Sequence, residues 1–120
     1  MAKKPVNSRA KGAVGEREFA RLCRNEGYEV RRTQQYCGNT GNAADCVGLP
    51  GIHIEVKRVE RLQLYKAMEQ AIADSKKFSY IPIVAHRCNG KPWLITMTAE
   101  DWFKLYREWE LSRSETEETK

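Results

Sequence analysis

What this chain lacks narrows it quickly. It has no apolar run near the ~20 residues a helix needs to cross a bilayer, and its basic, polar N-terminus has no apolar segment behind it. Neither membrane insertion nor export is expected. The four cysteines, Cys23, Cys37, Cys46 and Cys88, fall at irregular spacings with no Cys-x-x-Cys pair. That argues against a disulfide framework and a cysteine zinc site, and for a reducing, cytoplasmic setting. There are no internal repeats. At 120 residues and 41% hydrophobic, the composition supplies a core for one domain and falls short of two.

Acid is also missing where it would matter to a polyanion. Residues 1–15 carry Lys3, Lys4, Arg9 and Lys11 with no acid at all, whereas the last ten residues hold Glu115, Glu117 and Glu118. The net charge is +5, and basic residues recur as Arg31, Arg32, Lys57, Arg58 and Arg61. Such a distribution suits a nucleic-acid track and equally suits a solvated surface.

The periodicities predict the order helix, three strands, helix, two strands, helix. Residues 1–10 read as a flexible basic arm, 11–110 as a single domain and 111–120 as a disordered polar tail. The first helix is expected from Lys11 or Gly12 to Asn25, ending at Gly27, with Phe19, Leu22 and Cys23 as its apolar stripe. Glu16 stands one turn before Phe19 on that stripe, and Glu18 lies on a different side. A strand is expected over 28–36, then a Gly/Asn loop leading to Asp45. A second helix spans Gln63 to Lys77, burying Leu64, Met68, Ala71 and Ile72, with Lys66 and Gln70 together on another face, within reach of a phosphate or simply wet. The hairpin Tyr80–His86 and Trp93–Met97 turns at Asn89-Gly90. A helix capped by Thr98 and Asp101 then runs to about Trp109. A single sheet flanked by helices, an α/β architecture, is the economical packing.

The chemistry concentrates in Asp45–Lys57. Asp45 lies five residues before Pro50 and Glu55 five after it, so antiparallel pairing across the Leu49-Pro50-Gly51 turn sets the two carboxylates opposite each other. Strand alternation sends Ile52, Ile54 and Val56 to one face and His53, Glu55 and Lys57 to the other, so one face packs and the other presents chemistry. Cys46, beside Asp45, should face the packed side. Paired carboxylates suit a hard divalent ion, Mg²⁺ with Mn²⁺ as substitute. A lysine two residues from Glu55 is placed to orient water or neutralise charge on a phosphate. Glu16 completes the acid cluster from the first helix. His53 is weighed as a ligand or base against a neutral surface contact, and on a strand beside basic residues the surface contact is favoured.

An acid within KGAVGEREF, an Asp after a Gly-rich loop and Glu55-Val56-Lys57 on a strand together resemble the PD-(D/E)XK nuclease superfamily. More narrowly, the stretch from Lys11 to about Met97 is similar to the archaeal-type Holliday junction resolvases and their bacteriophage relatives. In this chain Ala44 stands where the family carries proline before the Asp. The resemblance implies a restriction-endonuclease-like fold, a central mixed β-sheet flanked by helices in the order αβββαββα. It implies that Asp45, Glu55 and the Val56 carbonyl hold the metal, that Lys57 serves the water or phosphate, and that Glu16 and Gln35 support the site. It further implies a homodimer that cuts four-way DNA junctions by paired symmetric nicks, in a bacterial or phage-infected cytoplasm, with Lys11, Arg31, Arg32, Arg58, Arg61, Lys66 and Gln70 as candidate DNA contacts. Other DNA substrates, flaps, ends or duplex, and a non-cleaving binding module are the alternatives. Trp102, Phe103, Tyr106 and Trp109 give the last helix aromatic surface for either dimer contact or core packing.

Overall fold

The computed structural model describes residues 8–33 and 44–118, with side chains over 12–33 and 44–114. Its elements are α1 (Ser8–Asn25), β1 (Arg31–Arg32), β2 (Cys46–Val47), β3 (Ile52–Arg58), α2 (Leu64–Ser75), β4 (Ile81–Arg87), β5 (Leu94–Thr96) and α3 (Ala99–Glu118), with a short 3₁₀ turn at Lys76–Phe78. The expected order αβββαββα is the one found. The five strands form one sheet in chain order, antiparallel except for the parallel pair β3 and β4 that α2 connects. No described helix is long and apolar enough to cross a membrane.

The sheet is covered on both faces. Phe19, Ala20 and Cys23 of α1 pack with Val30, Cys46, Ile54, Val56, Ile83 and Ala85. On the other face Ala67, Met68 and Ala71 of α2 pack on Val84. The expectation that the His53, Glu55 and Lys57 face of β3 would stay open is therefore corrected. The β3–α2–β4 crossover lays a helix over it, since a parallel pair needs such a connection and the helix must bury its apolar stripe.

Two glycines fix how closely α1 and the β2 turn approach their neighbours. A Cβ on Gly15 would stand 2.6 Å from the Arg58 Cβ, so α1 rests directly on the end of β3. At Gly48, φ is +127° and a Cβ would lie 2.4 Å from the Glu29 carbonyl oxygen. Gly27 closes α1 at φ +95°, as its position after the stripe predicts.

Boundaries moved at the chain ends. α1 begins at Ser8, so its first residues lie within the stretch read as an arm. α3 continues to Glu118, past the stop expected near Trp109 and into the segment read as a polar tail. Thr98 caps this helix, its Oγ1 accepting from the Asp101 N–H at 3.2 Å. Trp102, Phe103, Tyr106 and Trp109 are exposed on it, which rules out core packing for that stripe.

Candidate active site

The turn Leu49-Pro50-Gly51 sets the register that builds the site. Cys46 pairs with Ile54, so one step along Asp45 stands across from Glu55. Asp45 is tied down three ways: its N–H donates to the Ile54 carbonyl at 2.9 Å, its own carbonyl accepts from Thr33 at 3.0 Å, and its Oδ2 accepts from the Val56 N–H at 2.8 Å. The carboxylate thus takes a β3 amide just before β2 begins, which holds its free oxygen in one orientation.

Each face of β3 sends a different acid toward Asp45. On the α1 side, Glu16 is buried and its Oε2 accepts from Arg32 Nε at 2.9 Å. Its backbone carbonyl meets the Cys46 Sγ at 3.7 Å, which locks α1 to β2, and Cys46 is fully buried on the packed side as expected. On the α2 side Glu55 is 3% exposed and stands beside Val84 of β4. Asp45 responds to this crowding: burial first, then the Glu55 charge, and further the Glu16 charge push its pKa from 3.8 up to about 7, although the Val56 N–H pulls the other way. Burial likewise pushes the Cys46 thiol up to about 12, with help from Glu16 and Asp45.

The helix geometry that favours Glu16 over Glu18 as the site acid has a counterpart in three dimensions. Glu18, on a different side of α1, instead accepts from Arg58, Arg87 and the Trp93 indole. Lys57 lies half-buried on the α2 face, next to His86 of β4, whose ring bonds Thr96 at 2.8 Å.

Of the candidate DNA contacts, Arg31, Arg61, Lys66 and Gln70 are exposed, whereas Arg32 and Arg58 engage Glu16 and Glu18. Gln35 and the Lys11 side chain lie outside the described residues. His53 is the residue most misread from sequence. It is 1% exposed, not a surface contact, and its Nε2 meets Glu55 Oε1 at 2.9 Å. Asp74 of α2 completes a group with them and was not anticipated at all. Two signals were available: His53 shares the Glu55 face at spacing two, and Asp74 is an acid in the last turn of a helix, the end that disfavours one.

Two comparisons bear on the family and on the fold. A family model described as "Phage putative PDDEXK endonuclease" matches residues 7–119. Among solved structures, the fold is similar to that of Archaeoglobus fulgidus Hjc, a Holliday junction resolvase from an archaeal hyperthermophile. The likeness has a TM-score of 0.55 and 22% sequence identity, and covers 72% of each chain. No curated protein matches the sequence significantly. Hjc shares the mixed sheet with flanking helices, and the family match spans all but the first six residues and the last. The chain therefore belongs to this phage PDDEXK endonuclease family, a metal-dependent nuclease family.

Proposed function

We propose that this protein is a Mg²⁺-dependent, structure-selective DNA endonuclease that resolves four-way junctions by paired hydrolysis of two opposed phosphodiesters. The observation that carries the reading is Asp45, anchored on the Val56 amide and flanked by Glu55 and Glu16, with Lys57 two residues beyond Glu55 on the same strand face. A carboxylate whose pKa is raised by burial and then by neighbouring carboxylates has no positive partner recorded among the described residues, and a hard divalent ion supplies one. Asp45 and Glu55 would hold that ion, with the Val56 carbonyl as a further donor. When bound, it lowers the pKa of water and polarises a phosphoryl oxygen.

The chain's own residues divide the remaining work. Asp45 and Glu55 fix where positive charge sits, and the Val56 N–H keeps Asp45 from turning away. Lys57 brings a mobile ammonium to the phosphate or the attacking water. Glu16 orients the acid cluster from the α1 side while Arg32 limits its charge. Hydrolysis forms one P–O bond from water and breaks one to a sugar oxygen; one water proton ends on that leaving oxygen and the other in solvent. Arg31, Arg61, Lys66, Gln70 and Lys11 would contact the phosphate backbone. That mode of recognition reads shape more than sequence and weakens with salt.

Paired nicks call for two sites at fixed separation, which a two-fold dimer provides. The uncovered aromatic stripe of α3 is the surface on which we place the second copy. The test is a Mg²⁺-dependent cleavage assay on a synthetic four-way junction beside duplex, flap and single-stranded DNA of the same sequences. Symmetric nicks confined to the junction are expected. Equal cleavage of the other forms would make it a nuclease of broader substrate range.

A further inference from the structure

Glu55 reaches two ways. One side of its carboxylate faces Asp45. The other meets His53, and the ligand atoms of His53, Glu55 and Asp74 all lie within 4.8 Å of one another, beneath α2. We infer that His53, Glu55 and Asp74 form a second divalent-cation site that shares Glu55 with the Asp45 site and selects borderline ions such as Mn²⁺, Co²⁺ or Zn²⁺. The inference rests on the active-site reading only in that Glu55 belongs to both groups.

Four observations carry it. The first is spacing: the His53 Nε2 and Glu55 Oε1 atoms are 2.9 Å apart. Two donors at about 2.1 Å from one ion and at right angles to each other would stand ~3.0 Å apart, so both can ligate with little movement.

The second is burial. His53 and Glu55 are 1% and 3% exposed, on the sheet face where Ala67, Met68 and Ala71 of α2 pack on Val84, and the His53 Nδ1 is buried with no hydrogen-bond partner among the described residues. A buried carboxylate whose described partners are one imidazole and another acid is poorly compensated.

The third is the distribution of cations. The arginine pairs at the sheet, Arg32 with Glu16 and Arg58 and Arg87 with Glu18, all involve acids carried by α1. The α2 side has no such described pair for Glu55.

The fourth is helix polarity. Asp74 sits in the last turn of α2, a turn that contains no basic residue. An acid there meets the negative end of the helix dipole, an unfavourable placement that a cation between Asp74 and Glu55 reverses. Asp74 is half-buried and opens the group to solvent, which gives an ion access.

The donor set decides the kind of ion. Imidazole with two carboxylates favours Mn²⁺, Co²⁺ and Zn²⁺, whereas Mg²⁺ prefers oxygen and retains its water. A cation here holds the Glu55 carboxylate from behind and leaves its other oxygen for the Asp45 site.

Equilibrium dialysis of the full chain against MnCl₂, with bound metal counted by mass spectrometry, tests the site. Two Mn²⁺ per chain are expected for the unaltered protein, and one for Asp74→Ala, whose half-exposed position on α2 should leave folding intact. Asp45→Asn should also bind one, and that ion should show imidazole nitrogen couplings in its electron spin-echo spectrum, lost in His53→Gln. Wild-type Mn²⁺ stoichiometry and affinity in Asp74→Ala would overturn the proposal, as would the absence of nitrogen coupling in Asp45→Asn. Two ions retained by Asp45→Asn would instead sink the active-site reading.

Discussion

The two faces of the sheet are built differently, and β3 belongs to both. Against α1 the strand presents Ile54 and Val56 to Phe19, Ala20 and Cys23, and the charges at that side are closed off as arginine–glutamate pairs. On the other face, where Ala67, Met68 and Ala71 of α2 pack on Val84, it carries the buried His53 and Glu55 with no arginine among their described partners. The first face supplies stability. The second gives up some of it to bury ionisable groups, the bargain expected at a functional site.

The strongest way to break that comparison is to remove the chemistry and keep the frame. Asp45→Asn, Glu55→Gln and Lys57→Ala should each lower cleavage by about 10³-fold while junction binding stays measurable by gel shift. Activity within tenfold of the unaltered protein in any of them would remove that residue from the site.

Next come the cores. Phe19→Ala on the α1 face should destabilise by about 3–5 kcal/mol, against the lower end of about 2–5 kcal/mol for Met68→Ala under α2. Urea denaturation measures both, and a larger loss at Met68 would reverse the assignment of the faces.

A third contrast is pH. Asp45 holds its proton up to about 7 in the fold and only to 3.8 when unfolded. Between those values the folded state binds more protons, so this group's contribution to stability falls as pH rises. Without metal, Asp45→Asn should therefore gain stability over the unaltered protein on going from pH 5 to pH 8. Mg²⁺ should raise the Tm of the unaltered protein more at pH 8 than at pH 5, and that of Asp45→Asn little. Thermal melts at the two pH values decide it.

The smallest effect concerns the basic segment before α1. Deleting residues 1–7, which leaves the helix start at Ser8 intact, removes Lys3 and Lys4. If both meet phosphates, the slope of log affinity against log salt should become shallower by ~1.8. An unchanged slope would separate the segment from DNA.

What could be read from the sequence was local. The Asp45 to Glu55 register followed from a short turn, and Glu16 from helical spacing behind Phe19, because both are set within a few residues. The Arg32 to Glu16 pair joins residues sixteen apart, and Asp74 meets Glu55 across a crossover; nothing in either segment alone encodes the meeting. His53 was misjudged because alternation of His, Glu and Lys looks the same whether solvent or a helix covers that face. α3 outran its expected end because a polar stretch can stay helical without packing.

Cys46 turns this architecture into a clock. Its thiol is fully buried, held against the Glu16 carbonyl, and pushed up to about 12, so a thiol reagent has no thiolate to attack in the closed state. Labelling at Cys46 must wait for β2 to leave β3, the same separation that takes Asp45 away from Glu55. Its alkylation rate beside that of half-buried Cys88 would thus time the spontaneous dismantling of the Asp45–Glu55 hairpin, chain by chain, without any DNA present.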